Sequence, residues 1–79
     1  MKIVVNVMLK PEILDSQGQA VGSALNRLGF NFANEVRQGK RFEIEVTGTL
    51  DDEKRALIKE AAEKLLSNPV IETFTIEEL

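Results

Sequence analysis

The chain holds few kinds of residue able to do chemistry. Cysteine and histidine are both absent. That removes thiolate nucleophiles, disulfides and thiolate metal sites, together with the commonest general base and the commonest metal ligand. The serines at 16, 23 and 67 have no base near them in the sequence, and a hydroxyl without a base is a poor nucleophile. Glu43 and Glu45 alternate along what reads as an exposed strand face, and Glu77-Glu78 lies at the tail. Such carboxylates are more often solvated charge than an acid/base couple. Asp51-Asp52-Glu53 has the charge to attract a divalent cation, but it precedes a helical pattern whose amino end favours negative charge. The expectation is no catalytic, cofactor-binding or metal residue. Arg37 and Lys40 point elsewhere: a turn does not require two exposed cations, and arginine can grip a carboxylate with two parallel hydrogen bonds.

The scaffold holding these residues is small. A chain of 79 residues makes one domain, taken as residues 1–79, and a chain this short buries only about 60% of its unfolded surface. Thirteen acidic and ten basic residues give a net charge of −3. The cations interleave with acids except from Arg37 to Arg41, which argues against nucleic-acid binding. No apolar run approaches the roughly 18 residues of a membrane span, and no charged-apolar-small leader follows Met1, so the cytoplasm is expected.

Alternation predicts a strand over Lys2–Lys10, with Ile3, Val5, Val7 and Leu9 on one face and Val4, Asn6 and Met8 on the other. Pro11 stops it. Asp15 is an N-cap for a helix carrying Val21, Ala24, Leu25 and Leu28 at helical spacing, stopped by Gly29. Gly18 and Gly22 inside that helix each cost about 1 kcal/mol against alanine; close approach by another backbone or a ligand is one reading, a weak first turn the other. Phe30 and Phe32 are expected to close the bottom of the core. Residues 34–38 and 41–47 read as a hairpin turning at Gly39-Lys40, with Phe42, Ile44 and Val46 inward. Asp51 or Asp52 caps a second helix with Ala56, Leu57, Ile58, Ala61, Ala62, Leu65 and Leu66 in a broad apolar stripe. Asn68-Pro69 ends it, and residues 70–76 form the last strand.

The resulting order is that of an α+β, ferredoxin-like βαββαβ fold, an antiparallel sheet with two helices on one face. The other face carries Val4 and Met8 among polar residues, so self-association through it or the last strand's edge is expected. The loop after the first strand lacks the arginine an acylphosphatase-like enzyme of this topology needs. The sheet also lacks the aromatic platforms of an RNA-recognition module.

Several stretches in combination resemble one family. They are Val5-Asn6-Val7-Met8-Leu9-Lys10-Pro11, Leu14-Asp15-Ser16-Gln17-Gly18, Leu28-Gly29-Phe30, Val36-Arg37-Gln38-Gly39-Lys40, and the run from Lys64 to Glu72. At these spacings the chain resembles the PurS family, the small subunit of phosphoribosylformylglycinamidine synthase, also called formylglycinamide ribonucleotide amidotransferase. It departs from the family pattern at Glu12-Ile13, Ser16 and Ala33, which touch loop stiffness and packing.

The resemblance implies a non-catalytic assembly subunit of de novo purine biosynthesis that binds no cofactor itself. Its implied partners are a second copy of itself (homodimer or higher), the larger synthetase subunit (PurL), which uses ATP and Mg, and the glutaminase subunit (PurQ). The complex converts formylglycinamide ribonucleotide, glutamine and ATP to formylglycinamidine ribonucleotide, and the small subunit would bridge the two enzymes while ammonia passes between them. Expected contact residues are Asp15, Gln17 and Gly18 at the first helix, Arg37, Gly39 and Lys40 on the hairpin, and Asn68, Pro69 and Glu72 after the second helix. The alternative from another class is a small-molecule-sensing regulatory βαββαβ domain, with an effector near Gly18 or Gly22.

Overall fold

A computed structural model describes residues 1–79. Its elements are β1 (Lys2–Leu9), α1 (Ser16–Arg27), β2 (Gly39–Glu45), α2 (Asp52–Ala61) continued by a π-helical turn over Ala62–Leu66, and β3 (Glu72–Glu78). β1 is a nearly unbroken apolar run, as a strand covered on both sides requires. It lies at the centre of a three-stranded sheet of order β2-β1-β3, antiparallel to both neighbours. Ile3, Val4, Val5 and Val7 are fully buried there. The class is the expected one, an antiparallel α+β fold with two helices.

The two faces of the sheet divide as the alternation predicts. Ile3, Val5 and Val7 meet Phe42 and Ile44 of β2, Phe74 and Ile76 of β3, and Ile58, Ala62 and Leu66 from the second helical segment. On the opposite face Val4 stands between Glu43 and Glu77. Arg41 reaches Glu43 at 3.2 Å and Glu77 at 4.0 Å, so its guanidinium spans β1. Lys2 adds a 3.4 Å contact to Glu43. Arg41 first, and Lys2 after it, hold the Glu43 carboxyl below the usual range. Ion pairs therefore lie across the face where a second sheet was expected to stack, beside the exposed apolar side chain of Met8.

Three expectations give way. The hairpin is absent: residues 31–38 contain no strand, and Gly39 and Lys40 lie inside β2, with Gly39 opposite Met8. Glycine is needed at 39 because a Cβ would overlap the Val7 carbonyl and the Met8 side chain, so it marks a close strand approach instead of a turn. Phe30 and Phe32 do not close the core. They pack edge to face with centroids 6.1 Å apart, and Phe32 is 79% exposed. The last strand starts two residues late, leaving Val70 in the preceding turn and 76% exposed.

The long axis explains where the remaining residues go. β1 extends about 27 Å and α1 about 18 Å, and end to end they account for most of the 48 Å extent. No residue of α1 belongs to the sheet's core, so only the second helical segment packs on the face where two helices were expected. α1 and residues 28–38 form an arm beyond the end of the sheet. The radius of gyration is 16.0 Å, where a compact chain of this length has about 12 Å. The accessible surface is 5791 Å², about 1,000 Å² above the value for a compact monomer of this mass. Val21, Leu28, Phe30 and Phe32 on the arm and Leu14 in the loop before it are exposed, and so are Leu57 on α2 and Leu65 on its π-helical continuation.

Candidate functional site

Seven of the nine expected contact residues, all but Asn68 and Pro69, gather at the neck where the arm meets the sheet. Asp15 is its centre. As N-cap of α1, its Oδ1 accepts the Gly18 amide hydrogen at 2.8 Å while Oδ2 accepts that of Gln38. The carboxylate is only 4% exposed. The Gln38 bond first, then that of Gly18, with the nearby Arg37 charge, hold it below the usual carboxylate range despite burial. Gln17 accepts from the Gln38 side-chain amide across the same neck.

Gly18 is the reason the two sides can close. A Cβ there would overlap the Val36 carbonyl and the Asp15 carboxylate. Gly22, one turn on, leaves ordinary van der Waals room to the Val36 side chain. The close-approach reading of Gly18 is right, and the approaching backbone is the chain's own.

Arg37 is not a free cation. Its guanidinium donates to the Ile13 and Lys10 carbonyl oxygens, both at 3.0 Å, closing the loop between β1 and α1. Lys40 stays half-exposed, 3.9 Å from the Glu72 carboxylate and 5.8 Å from the Phe42 ring centre. Glu72 in turn accepts the Asn68 amide hydrogen at 2.7 Å. Asn68 accepts from Val70, Ile71 and Glu72, which fixes the Pro69 turn into β3.

Asp15, Gln17, Gly39, Lys40 and Glu72 thus line one shallow groove of about 290 Å³ with Gln38. Gly18 and Arg37 line its neighbour along α1, and Pro69 lies at a third depression beyond Glu72. Val36 and Gln38 also hold the neck together, through the Val36 carbonyl against Gly18 and the Gln38 amides on Asp15 and Gln17; they were not among the expected contact residues because these partners are distant along the chain.

The carboxylates at the neck, Asp15 and Glu72, accept backbone amide hydrogens. No three carboxylates converge as metal ligands, and Asp51, the first of the acidic run, caps α2 by accepting the Lys54 amide hydrogen. Beyond the neck the arm carries uncovered apolar side chains.

The family model for PurS, described as phosphoribosylformylglycinamidine (FGAM) synthase, matches residues 2–78. The chain belongs to the PurS family. A relative from Mycobacterium leprae, phosphoribosylformylglycinamidine synthase subunit PurS, is 56% identical over 75 residues, covering 95% of this chain and 91% of the relative. Among solved structures, PurS of Bacillus subtilis superposes with a TM-score of 0.85 at 42% identity, covering 96% of this chain and 94% of that one. A structure of PurLQS from Thermotoga maritima gives 0.86 at 27% identity, covering 99% and 95%. PurS membership makes the chain a subunit of phosphoribosylformylglycinamidine synthase in purine biosynthesis.

Proposed function

We propose that this PurS-family chain is the non-catalytic assembly subunit of its synthase, pairing with a second copy of itself and bridging a PurL-type synthetase and a PurQ-type glutaminase. ATP and Mg belong to the synthetase, and the small subunit works by holding the two enzymes so that ammonia passes between them, which is catalysis by positioning. The cytoplasm is the compartment for this work. No helix is long and apolar enough to cross a membrane.

The excess surface supports this reading most directly. About 1,000 Å² beyond a compact monomer's surface exceeds the roughly 800 Å² that each partner contributes to a standard interface. The exposed apolar residues of the arm lie within it. Proteins that stay monomeric rarely leave such patches open.

Analytical ultracentrifugation tests this, first on the chain alone and then with both enzyme subunits, ATP, Mg and glutamine. The expected result is a multimer of the chain that sediments with both enzymes. A monomer that leaves their sedimentation unchanged would overturn the reading.

A further inference from the structure

We propose that Asp15 is a positioning residue, whose carboxylate locks the arm of α1 and residues 28–38 at a fixed angle to the sheet so that the arm's apolar side chains meet their partner in register. This rests on the assembly role proposed above. The arm joins the sheet through two chain segments, residues 10–15 and the step from 38 to 39, and the apolar core does not continue across the neck. With no shared core, the angle depends on directional bonds. Those are the two amide hydrogens taken by Asp15, the Arg37 guanidinium on the Ile13 and Lys10 carbonyls, and the exposed Gln17–Gln38 pair.

Among them Asp15 alone bridges both segments with a buried, ionised acceptor, and charge-assisted bonds are about twice as strong as neutral ones. Gln17 and Gln38 pair in water, and Arg37, a part-buried donor, ties the arm to the Lys10 and Ile13 carbonyls beside it.

The latch separates cleanly from helix capping. Asparagine and serine cap helices about as well as aspartate. Asparagine, however, must turn an NH₂ toward one of the two amide donors, and serine is too short to reach Gln38. Asp15→Asn and Asp15→Ser therefore keep the cap and lose the bridge. Two readouts apply. The chain lacks cysteine, so spin labels placed through Arg27→Cys and Thr75→Cys report the distance from arm to sheet, measured with the labelled chain diluted in unlabelled chain. The second readout is the chain concentration giving half-maximal glutamine-dependent synthesis with both enzyme subunits.

We expect one narrow distance distribution in the parent and a broadened one in both variants. The half-saturating concentration should rise about tenfold, as loss of one bond to a charged acceptor predicts, with the plateau rate and far-UV circular dichroism retained. An unchanged distribution, or half-saturation within twofold of the parent, would overturn the proposal. Loss of the fold in both variants would also overturn it, since Asp15 would then be a stability residue first. A parent chain that gives no activation strikes at the assembly role instead, and the distance distribution still judges the latch.

Discussion

Gly18 lies against the Val36 carbonyl with no room for a side chain, since a Cβ at that position would overlap the carbonyl oxygen. Gly22 faces the same residue with ordinary spacing. The two glycines should part company on substitution. Gly18→Ala is expected to lose about 1–3 kcal/mol, the usual cost of overpacking. Gly22→Ala is expected to be neutral or to gain up to about 1 kcal/mol from helix propensity. Urea midpoints of the two variants check both.

Acid should loosen the neck. The Gln38 amide first, then that of Gly18, hold the Asp15 carboxyl below its ordinary value in the folded chain, whereas in the unfolded chain it has the ordinary value of about 3.9. The unfolded state then takes up protons first, so the stabilisation is present above about pH 4 and is lost as pH falls through the folded value. Glu43 acts with the same sign, through Arg41 and Lys2. The melting temperature should therefore fall between about pH 5 and pH 2, with a shallower slope in Asp15→Asn. Equal slopes would show that the depressed value contributes nothing.

Two apolar residues of similar size should behave oppositely. Ile3 is fully buried, whereas Leu65 is 81% exposed on the outward side of the second helical segment. Ile3→Ala should cost about 2–5 kcal/mol in the isolated chain, and Leu65→Ala less than about 0.5 kcal/mol. Thermal unfolding at a concentration where the chain is monomeric separates them.

Ser67 ends the second helical segment from within. Its buried hydroxyl donates to the Ala62 carbonyl at 2.7 Å, beside its own amide at 3.0 Å to the same oxygen. Ser67→Ala should lose about 0.5–1.5 kcal/mol, read as a drop in denaturant midpoint at constant slope.

Local patterns in the sequence were reliable where a residue's partner is near in the chain or dictated by alternation. The first strand, the cap at Asp15, the stop at Gly29 with its positive φ of 91°, and the inward pair Phe42 and Ile44 were all legible, and of the two candidates for the second cap, Asp51 and Asp52, it is Asp51 that caps. The neck was only half legible. Its residues could be named, but Arg37 reads as a free cation until its two carbonyl partners, 24 and 27 residues away, come into view. The missing hairpin has the same cause. Residues 34–38 resemble a strand, yet Val36 lies on the glycine side of α1 and the Gln38 amide goes to Asp15, so that segment lies along the helix instead of the sheet. Phe32 and Leu65 were placed in the core by their type, which cannot tell a chain's own core from a surface kept for a partner.

The most direct measurement is glutamine-dependent synthesis of formylglycinamidine ribonucleotide by purified synthetase and glutaminase subunits, with and without this chain. The assembly role predicts activity that appears only when the chain is added and saturates with its concentration. Equal activity in its absence, with all three proteins folded, would contradict it.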